Sequence, residues 1–207
     1  MLPDPLYLDD AVIAFDKPAG LLAVPGRGPD KQDCLWLQVR GRWPDALVVH
    51  RLDMATSGLM LFARGLPMQR HLSRAFAQRH VDKQYVAVVD GQLAEAQGRI
   101  ELPLAADWPR RPLQHVDALE GRPARTDWQR LEQHEHSARL ALQPHTGRTH
   151  QLRVHLAAIG HPILGDALYA PPDVQARAPR LMLHALALRL AHPVSGEPLT
   201  LQCPSPF

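Results

Sequence analysis

Apolar positions along this chain come in short bursts, and most run continuously or alternate with polar residues rather than recurring every third or fourth place. In "DDAVIAFDKPAG" the burst Val12 to Phe15 precedes a turn marked by Pro18 and Gly20, which predicts a strand. "ALVVH" and "GLMLFA" predict two more, on either side of "RLDMATS". "QYVAVVDG", "GRIEL", "ARTDWQRL" and "ARLALQP" continue the series, and "RLMLHALALRL" and "PLTLQC" close it around the turn "HPVSGEP". Three stretches switch to the helical period. "LPMQRHLSRAFAQRH" puts Met68, Leu72 and Phe76 on one face and Arg70, Arg74 and Gln78 on another. "THQLRVHLAAIG" lines a face with Leu152, Leu156 and Ile159; Thr149 is its expected cap and Gly160 its stop. "DCLWLQVRGRW" fits a helix only in part, and "ADWPRRPLQH" (Ala106 to His115) is expected to be an exposed, irregular loop. Many strands, few helices and no βαβ alternation predict an α+β fold with a mixed, mainly antiparallel sheet. No linker or repeat interrupts the pattern, so one domain over residues 1–207 is expected.

Composition narrows the function classes. Apolar residues make up 45% of 207, enough for a real core. No apolar run approaches the roughly 18 residues that would span a membrane. The start, "MLPDPLYLDD", lacks the basic-then-apolar pattern of an export signal, so a soluble, cytoplasmic protein is expected. Cys34 and Cys203 are too few for a disulfide framework or a four-thiolate zinc site, and are expected to be reduced packing residues. A net charge of +2 does not announce nucleic acid. The choice of cation says more: Lys17, Lys31 and Lys83 are the only lysines among 23 basic residues. Arginine offers a planar fork to phosphates and base edges, although a codon preference would give the same composition.

Candidate chemistry is sparse. "HEH" sets His134 and His136 on one strand face with no third ligand nearby, and His145, His150 and His155 lack the spacing of a helical zinc motif. No metal and no cofactor are expected. Ser57 sits in "TSG" without the surroundings of a nucleophile elbow, and Thr56 and Ser57 suit the capping of a turn. "HRLDMATSGL" is the most suggestive stretch. Asp53 follows one β-like run and precedes another, a position where reactive groups sit on rigid support. Arg51 and Asp53 also fit an ordinary solvated ion pair, worth under about 1 kcal/mol. Spacing alone leaves both readings open.

Five segments in order resemble the RluA-type pseudouridine synthases: "DKPAGLLAVPG", "HRLDMATSGL", "KQYVAVVDG", "GRTHQLRVHLAAIGHPILGDALY" and "RLMLHALAL". The resemblance covers nearly the whole chain. It is strongest, through "VPGRG", "DWPRRP" and "GHPILGD", to the branch acting on both the tRNA anticodon stem-loop and large-subunit rRNA. It implies an isomerase with the pseudouridine synthase fold and no S4-like module. It implies Asp53 as the catalytic carboxylate, Tyr85 against the uracil and Arg153 as partner of Asp53. His50, Arg51, Arg148, Arg110 and Arg111 are the candidates for RNA contact. The implied partners are tRNA and/or 23S-type rRNA; a monomer is the simplest expectation, which the resemblance does not itself supply. Two other classes remain, a non-catalytic RNA-binding relative and a glycoside hydrolase. The latter needs two carboxylates about 5–10 Å apart, and the motif offers no second acid.

Overall fold

The computed structural model describes residues 2–207. In chain order, β1 (Tyr7–Leu8) and β2 (Val12–Lys17) precede α1 (Leu35–Arg42), β3 (Ala46–Val48), β4 (Ser57–Arg64) and α2 (Gly65–Ala77). Then come β5 (Asp82–Asp90), β6 (Gln97–Ile100), β7 (Leu104–Ala106), β8 (Gln114–Val116), β9 (Thr126–Gln133) and β10 (Ser137–Pro144). The chain ends with α3 (Gln151–Ala158), α4 (Pro172–Gln175), β11 (Leu183–Ala191) and β12 (Pro198–Gln202). The described residues form two compact units. One comprises the chain up to Lys83 together with His184–Pro206, the other Gln84–Leu183 with Phe207.

In the first unit β2 runs antiparallel to β4, from Val12 opposite Ala63 to Lys17 opposite Gly58. β1 extends along β2 and β3 along β4, both antiparallel. β11 joins β4 in parallel, with His184 opposite Ser57 and Ala185 opposite Gly58, and β12 returns antiparallel beside β11. Successive side chains of a strand point to opposite faces, and here both faces are covered. Val12, Ala14, Leu59, Leu61 and Ala63 pack with Leu72 of α2, flanked by Met68 and Phe76. Ile13, Phe15, Met60 and Phe62 pack with Leu35 and Val39 of α1, flanked by Trp36 and Trp43. A strand buried on both faces loses its polar alternation, which is why these two bursts read as continuous apolar runs.

In the second unit β5 pairs antiparallel with β10, Tyr85 opposite Leu142, and β10 pairs with β9 in a register that shifts between Arg139 and Leu140 of β10. β6 pairs with β9, and β7 with β8 as a separate hairpin. The expected loop from Ala106 to His115 is therefore the tip of an ordered hairpin. α3 buries six consecutive residues, Gln151 to Leu156. Its expected Thr149 cap is not formed. His150 holds the N-cap position in the left-handed region, and the Gln151 side chain instead accepts from the Arg148 N–H at 3.1 Å. The fold is thus mixed and mainly antiparallel with few helices, and no S4-like module is evident among the described residues. No helix among them is long and apolar enough to cross a membrane.

Candidate active site

Asp53 lies in the turn between β3 and β4, half-buried, with exposed Arg51 and Met54 and buried Leu52 around it. The turn is fixed from below. Lys17, at the end of β2, is fully buried, and its ammonium donates to the carbonyls of Pro18 at 2.8 Å, Leu21 at 2.7 Å and Met54 at 3.1 Å. The Gly20 N–H donates to the same Met54 carbonyl at 2.8 Å, and the Thr56 N–H closes the turn onto the Asp53 carbonyl at 3.1 Å. Burial brings the Lys17 ammonium down to about 8, against the raising influence of the Asp53 and Asp16 charges. At neutral pH it remains a cation, three carbonyls deep, beside the Asp53 turn. Sequence reading gave Lys17 no role; a lysine closely following the apolar run Val12 to Phe15, in a chain with only three lysines, was the available signal.

The neighbours of Asp53 divide by orientation. Arg51 forms no ion pair among the described residues, so the solvated Arg51–Asp53 pair is not what holds this turn. His50 faces inward. Its Nε2 accepts from the Leu61 N–H at 2.9 Å, and its ring stacks on Phe76 with centroids 4.7 Å apart. Burial, helped by the Lys83 charge, holds this imidazole down at about 4, so it is neutral at physiological pH and braces the turn on β4. Ser57 and His184 contact at 2.9 Å, and His184 Nε2 lies 3.0 Å from the Cys203 carbonyl. A carbonyl only accepts, so Nε2 carries the proton and Nδ1 accepts from the Ser57 hydroxyl. Both side chains are buried. This resembles a nucleophile–base pair in distance, but it ends on a backbone carbonyl inside the core and serves the junction of β4 and β11.

Within the second unit Tyr85 lies half-buried on β5. Arg153 on α3 is 4% exposed and grips Asp166, which is 0% exposed. Its Nε donates to Oδ2 at 2.8 Å and its Nη2 to Oδ1 at 2.5 Å. Asp166 also accepts from the N–H groups of Leu168 and Tyr169, at 2.9 and 3.3 Å. A buried pair with its lone pairs met by further donors is the arrangement that tolerates removal from water. The Tyr169 ring lies 5.1 Å from the guanidinium, and its hydroxyl sits between the Gln114 N–H at 2.9 Å and His150 Nδ1 at 2.6 Å. The start of α3 is pinned as well. Gln151 accepts from Thr146 at 2.6 Å and donates to the Arg125 carbonyl and to Thr126, while His155 bonds Thr126 and the Leu102 carbonyl. The helix that carries Arg153 is thus held by polar groups on both sides. Asp166 and Tyr169 had no role in the sequence reading; "GDALY" was visible only as part of a resemblance.

The remaining candidates have distinct surroundings. Arg148 Nε donates to the Pro123 carbonyl at 3.1 Å. Arg110 is held by Asp107, Nε to Oδ2 at 2.7 Å, whereas Arg111 lies over the ring of Trp108. His145, His150 and His155 go to three different partners, Asp127, Tyr169 and Thr126. The structure therefore gathers His50, Arg51 and Asp53 in one turn of the first unit. Tyr85, Arg110, Arg111, Arg148 and Arg153 all belong to the second.

Residues 11–158 match the family described as RNA pseudouridylate synthase. The chain is 47% identical over 203 residues to the dual-specificity RNA pseudouridine synthase RluA of Escherichia coli K12, covering 98% of this chain and 93% of that one. It is 46% identical to the protein of the same name from Yersinia pestis, covering 98% of each. Among solved structures, human RNA pseudouridylate synthase domain containing 1 superposes with a TM-score of 0.81 at 29% identity, over 100% of this chain and 87% of that one.

Proposed function

The chain belongs to the RNA pseudouridylate synthase family as an RluA-type isomerase that forms pseudouridine in RNA, and on that premise we propose that Asp53 is its catalytic carboxylate. The reaction breaks the bond between uracil N1 and ribose C1′, turns the base and joins C5 to C1′. N1 gains a proton and C5 loses one, so the product is an isomer. No electrons are transferred and no group is imported, so a carboxylate can open the reaction. The observation that carries this reading is the fixed turn, which holds Asp53 half-buried with the Lys17 ammonium beneath it. A reactive group must be held by a rigid frame to meet its target at short range.

In this proposal the whole of 1–207 works as one catalytic domain. Arg153 pairs with Asp53 during the reaction. A guanidinium is a planar fork matched to carboxylates, and Asp166 fixes the orientation of this one through Nε and Nη2. Tyr85 packs against the uracil, where stacking tolerates rotation of the detached base. The target uridine leaves its stack, at a cost of a few kcal/mol that unpaired loop positions reduce. Arg51, exposed beside Asp53, fills the vacated stack or meets a phosphate, and Arg148 adds a backbone contact. The proposed substrates are the tRNA anticodon stem-loop and large-subunit rRNA, in keeping with relatives named dual-specificity enzymes, and the place of action is the cytoplasm.

The test is to map pseudouridines in total RNA from cells with and without the gene. The proposal expects specific sites in tRNA and large-subunit rRNA to revert to uridine in its absence. Unchanged maps in both RNAs would refute it.

A further inference from the structure

Four tryptophans occur in the chain, and three are half-buried. Trp108 is 69% exposed, at the tip of the hairpin formed by β7 and β8. The guanidinium carbon of Arg111 lies 3.3 Å from its ring centroid. An indole left in water on a floppy loop would need no explanation, but this tip is well braced. The Asp107 N–H donates to the Leu113 carbonyl, and the Leu113 N–H to the Arg110 carbonyl, both at 3.0 Å. The Asp107 side chain, itself 10% exposed, holds Arg110 through Nε at 2.7 Å and Nη2 at 2.5 Å. Arg110 is therefore neutralised as part of the brace, while Arg111 has no carboxylate partner among the described residues.

We infer that Trp108, backed by Arg111, is a stacking platform for an unpaired nucleobase of the RNA substrate, an inference that rests on the functional reading above. With Arg111 over one face of the indole, the opposite face remains in water. Every base has a π-face, so such a ring binds bases with little regard to sequence. A guanidinium over one side strengthens the stack, and its N–H donors suit a phosphate of the same strand. The brace removes the cost of ordering the tip when RNA arrives. A base in a duplex cannot reach the platform, because its faces are already covered by its neighbours. The hairpin therefore selects RNA with an unpaired loop. It is also tied to the site: the Gln114 N–H, at the base of the tip, donates to the Tyr169 hydroxyl, and the Tyr169 ring lies against Arg153.

The experiment compares the full chain with Trp108→Ala, Trp108→Phe and Arg111→Ala. Equilibrium binding is measured to a short RNA stem-loop with an unpaired loop and to a fully paired RNA of matched length. Trp108 is exposed, so the variants are expected to melt as wild type does. Trp108→Ala should bind the stem-loop about tenfold more weakly and the paired RNA within about twofold of wild type, with an unchanged salt slope. Trp108→Phe should keep most of the affinity, and Arg111→Ala should lower the slope of log K against log salt by about one. Unchanged stem-loop affinity in Trp108→Ala, or an equal loss on both RNAs, would overturn the platform. Pseudouridine formation on the stem-loop is followed in parallel. Formation by wild type with Trp108→Ala binding unchanged sinks the platform alone; neither binding nor formation by wild type sinks the functional reading and the platform with it.

Discussion

Arg153 and Asp166 are both withdrawn from water, and a charge so placed depends on its partner. Removing one member of such a pair typically costs about 3–5 kcal/mol, because the other is left buried and uncompensated. Asp166→Ala should therefore destabilise the chain by about that amount in urea unfolding. It should also lower turnover more than Asp166→Asn, which keeps an acceptor for the Leu168 and Tyr169 N–H groups. Equal stability and turnover for Asp166→Ala and wild type would show that the pair does not hold α3. None of this could be read from spacing: Asp166 lies 13 residues from Arg153, across a turn. His50 gives a second test. Its folded-state value is depressed to about 4 from an ordinary 6.5, so the unfolded chain binds more protons between those limits. Its contribution to stability is complete above about pH 6.5 and is lost as pH falls towards about 4. His155 is depressed in the same direction by burial. The midpoint of urea unfolding should fall through that window, and less steeply in His50→Gln; parallel curves for the two proteins would contradict the assignment.

At the scale of elements, the long strands and α2 were legible because their patterns are physical consequences of burial. Met68, Leu72 and Phe76 share the face of α2 that the period predicted, packed on the β2–β4 layer. β1, β7 and β8 were not legible. Strands of two or three residues carry too few side chains for alternation to show; β3, equally short, showed only through the apolar run in "ALVVH". The Thr149 cap failed because His150, in a left-handed conformation, takes the N-cap position, while the Gln151 side chain accepts from the Arg148 N–H ahead of the helix. Gly58 shows how one element depends on another. It has φ 111°, and a Cβ built there would sit 2.4 Å from the Ala185 carbonyl oxygen, where β4 and β11 run in parallel. No flexible side chain can move aside, since the obstacle is backbone. Gly58→Ala should cost about 3 kcal/mol or more, combining conformational strain with the clash. It should also weaken hydrogen-exchange protection in both strands. A variant as stable as wild type would mean that the two strands are not so closely apposed. From sequence, this glycine was visible as the junction of "TSG" and the run "GLMLFA", with no sign of the strand that approaches it.

At the scale of the whole molecule, the chain leaves its first unit after Lys83 and returns to it at His184. No shift in composition marks either crossing, because both lie at strands rather than linkers, and the expectation of an uninterrupted pattern came from that. The family motifs are shared between the units: the Asp53 turn belongs to the first, Tyr85 and Arg153 to the second. Periodicity and charge made Asp53 a candidate no better than a solvated ion pair, and the resemblance raised it. The structure added what neither could supply, the buried ammonium of Lys17 under the turn and the inward histidine beside it. Release of tritium from C5-labelled uridine in stem-loop RNA, by wild type and by Asp53→Asn with RNA binding measured alongside, tests the central claim most directly. The account predicts release by wild type and none above background from an Asp53→Asn protein that still binds RNA. Release by Asp53→Asn at the wild-type rate, or none by wild type, would contradict it.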